Sequence, residues 1–143
     1  MKKLILSLFV CSGFIFASLQ SVSSNEYYYE ETIEIIEEDL VTRATQTKTA
    51  KKTGTYKNAS GQTLWSVTVT GTFTYNGSTS TCTKSNVSTS IIDTKWKIAS
   101  PSSSKSRNKA SATAIAKCYS NGAVISTQTK TVTLTCSPTG VLS

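Results

Sequence analysis

Apolar and polar residues alternate from Leu64 to Tyr75: Trp65, Val67, Val69, Phe73 and Tyr75 share one parity, and Ser66, Thr68, Thr70, Thr72 and Thr74 the other. Alternation over that length is a strand with one face in a core and one in water. Asn76-Gly77 follows at once, a pair suited to a two-residue hairpin turn with positive φ at both positions. Pairing Tyr75 with Ser78 across such a turn sets Cys82 opposite Gly71.

The same reading predicts strands at 87–98, 109–119 and 124–136, and an earlier one at 48–56 that reverses through Asn58 to Gly61. Ala110, Ala112, Ala114, Ala116 and Cys118 make a small-residue face, while Val132, Leu134 and Cys136 alternate with Thr131, Thr133 and Thr135. A two-residue turn at Asn121-Gly122 would put these two apolar faces on opposite sides of the sheet. A three-residue turn with Gly122 in the left-handed region restores the match and is the register predicted. Six or seven short strands make the chain all-β. They predict a single small antiparallel β-sandwich over 44–143, immunoglobulin-like or similar, with a partly open β-barrel as the alternative.

Upstream the pattern changes. Lys2 and Lys3 precede an apolar run from Leu4 to Ala17 and then small polar residues to Ser24, the layout of a secretory signal peptide over 1–24. The run falls short of the roughly 20 residues a spanning helix needs. Cys11 lacks the small residue before it that a lipid-attachment box requires, because Val10 stands there. The segment 25–43 holds seven of the eight acids, Glu26, Glu30, Glu31, Glu34, Glu37, Glu38 and Asp39. Ile33, Ile36 and Leu40 form a helical stripe too short to stand alone in water, so the segment is expected to be flexible unless docked. Arg43 at the compositional junction is the expected site of propeptide cleavage. The alternative is a spacer or an extra N-terminal strand that is never removed.

Charge divides the chain accordingly. From Arg43 onward there are thirteen Lys and Arg against the single Asp93, a net of +12 in a chain whose overall charge is +7. Lys95 and Lys97 alternate with Trp96 and Ile98, and Lys105, Arg107, Lys109 and Lys117 share the parity opposite the alanines. If these strands are neighbours, one outer face gathers six cations able to hold a polyanion with salt-sensitive affinity. The partners to expect are an anionic cell-wall polymer or a membrane surface, with acidic glycans or nucleic acid as further candidates. The competing explanation is that lysines guard strand edges and solubility. Trp65, Phe73 and Trp96 read as core, leaving Tyr56 and Tyr119 as exposed aromatic platforms.

Without the signal peptide, Cys82, Cys118 and Cys136 remain. Cys118 and Cys136 lie far apart along a straight hairpin, so the pairing expected is a Cys82–Cys136 disulfide, worth about 4 kcal/mol in the chain-entropy model. Cys118 is then a small buried hydrophobe. The chain has no histidine, which excludes Ser-His and Cys-His nucleophiles, and one Asp in the body excludes a carboxylate pair. No metal-ligand spacing or phosphate loop occurs, so no enzyme activity, cofactor, metal or small-molecule substrate is expected. Asn58, Asn76 and Asn86 begin Asn-x-Ser patterns, two of them at turns where Asn is favoured anyway.

The signal-like leader, the acidic tract, Thr42-Arg43-Ala44 and Thr/Ser-rich strands ending in Leu134-Thr135-Cys136 resemble the small uncharacterised secreted proteins of Gram-positive bacteria. That resemblance implies an extracellular location and no particular activity. The functions expected are binding of anionic envelope or extracellular polymers, a bacteriocin-like antagonist held inactive by an acidic propeptide, or a structural assembly subunit.

Overall fold

The computed structural model describes residues 27–39 and 44–143. The signal peptide assigned to 1–24, Cys11 and the cleavage site at Arg43 lie outside the described residues. Seven strands run as β1 (Tyr28–Asp39), β2 (Gln46–Lys57), β3 (Thr63–Tyr75), β4 (Ser80–Ile91), β5 (Trp96–Ser106), β6 (Lys109–Ser120) and β7 (Ala123–Thr135). They form a four-stranded sheet, β1-β2-β3-β4, and a three-stranded sheet, β5-β6-β7, antiparallel throughout. The fold is the expected all-β sandwich. Each sheet is a meander in sequence order, without the crossing connections of an immunoglobulin domain.

The inner faces follow the alternation. Trp65, Val67, Val69 and Phe73 of β3 are fully buried, as are Ala110, Ala112, Ala114 and Ala116 of β6 and Val132 and Leu134 of β7. The alanines let the β6 backbone approach the large side chains of β3. On both outer faces threonines pair across strands, Thr49 with Thr72 at 3.0 Å and Thr53 with Thr68 at 2.8 Å in one sheet, and Thr113 with Thr131 at 2.8 Å in the other. β-branched residues on a half-wet pleat account for this ladder.

Three local expectations are corrected, each by a register device. The strand expected over 87–98 divides at a turn where Trp96 N–H donates to Asp93 O and Lys95 N–H to Asp93 Oδ1, and the chain passes there from one sheet to the other. Asn121-Gly122 closes a two-residue turn, with φ of 49° and 79° and Ser120 opposite Ala123. A bulge between Cys118 and Tyr119, rather than a third turn residue, restores the match of apolar faces.

The third correction concerns the cysteines. Tyr75 pairs with Ser80, not Ser78, and a bulge between Thr72 and Phe73 places Cys82 opposite Phe73 and Ser85 opposite Gly71. The space at Gly71 goes to the Phe73 ring, which would lie 2.7 Å from any added Cβ. Cys82, Cys118 and Cys136 are buried and unbridged in this structure, where the expected Cys82–Cys136 disulfide is absent although both cysteines lie at the same end of the sandwich. The Cys82 Sγ instead donates to Lys84 O at 3.2 Å, and burial pushes its thiol pKa up. Cys118 faces Ser126, ten positions short of Cys136 and about 34 Å away along the strand.

The acidic segment is docked as β1 over Tyr28–Asp39, on the edge of β2. Its inward parity, Tyr29, Glu31 and Ile33, matches Tyr56, Gly54 and Lys52 of β2. Lys48 and Lys52 share that inward face, and β1 supplies their counter-charges: Glu38 lies 2.9 Å from Lys48 and Glu31 3.0 Å from Lys52. Lys48 is buried, and its Nζ also donates to Gly140 O at 2.7 Å. Glu30 pairs with Lys57 at 2.6 Å and raises the lysine's pKa through that hydrogen bond.

Candidate polyanion-binding surface

Charge is segregated by sheet. Strands β5, β6 and β7 contain Lys97, Lys105, Lys109, Lys117 and Lys130 without one acidic residue. Asp93 precedes β5, and the remaining described acids belong to β1 in the other sheet. The ion pairs among the described residues all join β1 to β2, so β1 neutralises Lys48, Lys52 and Lys57 and none of the six candidate cations.

The six cations do not make one continuous face. Lys97 and Lys117 are direct Cα partners on the outer face of the β5–β6 pair, which sets their backbones about 5 Å apart. Lys95 stands beside them, its carbonyl accepting from Tyr119 N–H at 2.8 Å. The Lys97 Nζ lies 5.0 Å from the centre of the Tyr119 ring, a cation held over an aromatic face. Lys95, Lys97, Lys117 and Tyr119 thus form a compact basic patch. Like charges directly opposite on a sheet repel, and here no carboxylate on that sheet offsets them.

Lys105, Arg107 and Lys109 gather at the other end of the hairpin. Lys109 keeps the outward parity of Lys117 but is eight positions away, about 27 Å along the strand. Lys105 departs from the expected parity. A bulge between Ala99 and Ser102, with Ser100 at φ 49°, shifts the register so that Lys105 opposes Ala110. Its Nζ donates to Thr83 O of β4 at 2.7 Å, helping close the seam between the sheets, and Ser103 Oγ donates to Ser85 O at 3.2 Å beside it. Arg107 occupies the hairpin turn at φ 53°, exposed, while its carbonyl accepts Cys82 N–H at 2.6 Å.

Of the aromatic platforms, Tyr119 is half-buried beneath Lys97, but Tyr56 is buried. Its ring stacks on Tyr27 at 5.3 Å and on Trp65 at 5.4 Å, and burial raises its pKa. Sequence reasoning passed over Lys130, whose Nζ lies 5.0 Å from the Tyr29 ring centre and 5.9 Å from that of Tyr56. Its inward parity, shared with Val132 and Leu134, was the available signal. Asn58 and Asn76 act as turn caps: Asn58 Oδ1 accepts the N–H groups of Ser60 and Gln62, and Asn76 Oδ1 those of Ser78 and Thr79.

Comparison of the chain with protein-family models, with curated proteins and with solved structures returned no match.

Proposed function

We propose that this protein is a secreted, non-enzymatic binding module for anionic polymers of the cell envelope or extracellular space. The observation that carries the reading is the opposition of Lys97 and Lys117, with Lys95 alongside, on a sheet that holds no acid. A phosphate-bearing polymer laid over that patch turns a local repulsion into three attractions and releases counterions. The far end of the hairpin, with Lys109 facing outward and Arg107 exposed in the turn, gives an extended chain a further contact about 27 Å along the same hairpin. A small anion would gain nothing from this spacing.

A non-enzymatic role is in keeping with a chain that has no histidine. Asp93, the one acid beyond Arg43, has its Oδ1 bonded to Lys95 N–H. The antagonist reading, in which the acidic segment masks the basic body, finds less support, because the β1 carboxylates pair with Lys48, Lys52 and Lys57. Binding to a soluble glycerol-phosphate polymer tests the proposal. Affinity should fall steeply with salt and drop on Lys95→Glu/Lys97→Glu/Lys117→Glu; binding that ignores both salt and charge reversal would sink it.

A further inference from the structure

The end of the sandwich that carries the Lys95 patch also exposes apolar side chains. Tyr27, Tyr28, Ile91, Ile92, Val124 and Ile125 are exposed, with Ile92 at 64% and Ile125 at 65%. Six of the nine exposed large hydrophobics among the described residues therefore collect at one end. Register puts them there. In the larger sheet Tyr29 opposes Tyr56, Tyr56 opposes Trp65 and Trp65 opposes Ile91. In the smaller sheet Trp96 opposes Cys118, and Val124 opposes Tyr119.

The two rows meet in an aromatic stack, with Trp65 6.3 Å from Trp96 and Tyr27 6.3 Å from Trp96. Ile92 begins the tight β4–β5 turn, its N–H donating to Leu64 O at 2.9 Å. Ile125 is the unpaired residue of the β6–β7 bulge. Ile92 is therefore presented outward from tethered backbone and Ile125 from a bulge, both beside the aromatic stack.

Apolar side chains beside cations that form no ion pair among the described residues make two demands on a partner. A soluble polyanion satisfies Lys95, Lys97 and Lys117 but leaves the isoleucines in water. An apolar protein groove covers the isoleucines and strands the lysines. An anionic lipid surface meets both: phosphates outside, hydrocarbon just beneath, and an interfacial zone in which tyrosine rings and lysine stems are at home. We propose that this end docks onto an anionic lipid bilayer, with Ile92 and Ile125 entering the headgroup region and Lys95, Lys97 and Lys117 pairing with lipid phosphates. The proposal rests on the polyanion reading and adds the identity of the partner.

The test uses residues 25–143, which contain every described strand. Their binding is measured to phosphatidylcholine vesicles with and without phosphatidylglycerol, and separately to the soluble glycerol-phosphate polymer. The chain should sediment with the anionic vesicles. Ile92→Ser/Ile125→Ser should lower that affinity tenfold or more while leaving polymer binding unchanged. Lys95→Glu/Lys97→Glu/Lys117→Glu should lose about a hundredfold on anionic vesicles and should weaken polymer binding too. Tryptophan introduced by Ile125→Trp should be quenched by brominated lipid. Anionic-vesicle binding that survives the serine changes, or unquenched tryptophan, overturns the lipid proposal and leaves a wall polymer as partner. Polymer binding untouched by the charge reversals instead defeats the underlying reading.

Discussion

Lys97 and Lys117 oppose each other as Cα partners on a sheet whose strands carry no carboxylate. Their juxtaposition gives up stability for charge density. Lys117→Thr should therefore stabilise the protein by about 0.2–1 kcal/mol at low salt. The gain should shrink as salt screens the repulsion. The same change should weaken polymer binding and reduce the slope of log affinity against log salt by about one. Thermal midpoints and salt titrations on the one variant check both halves.

Glu38 links acid sensitivity to the strand it sits on. Its carboxyl is held below the usual carboxylate range, first by the hydrogen bond from Lys48 and then by that from Tyr75. A pKa depressed by folding gives stability that is complete above the unfolded value of about 4.3 and is lost as pH falls through the folded value. Glu38→Gln should therefore cost about 1 kcal/mol at neutral pH, a figure kept small because the carboxylate is a third exposed. The urea midpoints of variant and wild type should converge in acid.

At Gly71 the β3 backbone comes close to β6 of the facing sheet. A Cβ there would lie 2.7 Å from the Phe73 ring and 2.9 Å from the Ala110 Cβ. Gly71→Ala is expected to lower stability by about 1–3 kcal/mol through overpacking, read as a fall in the denaturation midpoint.

Removal of β1 tests whether the acidic strand is a passenger. Without it, inward-facing Lys48 and Lys52 lose Glu38 and Glu31. Residues 44–143 alone should be destabilised by about 3 kcal/mol or more, chiefly because the core surface covered by Tyr29 and Ile33 returns to water and β2 loses its ladder partner. A peptide spanning Tyr28–Asp39 should restore part of the loss. Equal midpoints for the long and short chains would make β1 dispensable.

The strands of the body were legible because solvent and core impose a period of two, as in β3 from Trp65 to Tyr75. Bulges were not. Those at Thr72/Phe73, Ala99/Ser102 and Cys118/Tyr119 decide what Cys82 faces, where Lys105 points and how β7 registers. An extra residue changes parity without leaving a compositional mark. β1 was expected to be flexible unless docked, because the stripe of Ile33, Ile36 and Leu40 drew attention from a subtler alternation. Tyr27, Tyr29, Ile33 and Ile35 share a parity with Glu31, and the inward-facing Lys48 and Lys52 were waiting for carboxylates. The candidate surface was half visible: Lys95, Lys97 and Lys117 came together as the alternation implied, whereas Lys105 and Arg107 were redirected by the bulge and the turn.

Three sulfurs sealed inside the sandwich make it its own stopwatch. Cys82 and Cys136 sit at the end tied by Arg107 and Asn108, whose carbonyls accept their N–H groups, while Cys118 lies opposite Trp96 at the other end. An alkylating reagent reaches each only when its own end of the structure parts. Labelling that runs ahead at Cys118 would time fraying beneath the tyrosines, and equal rates at all three would time the separation of the two sheets as a unit.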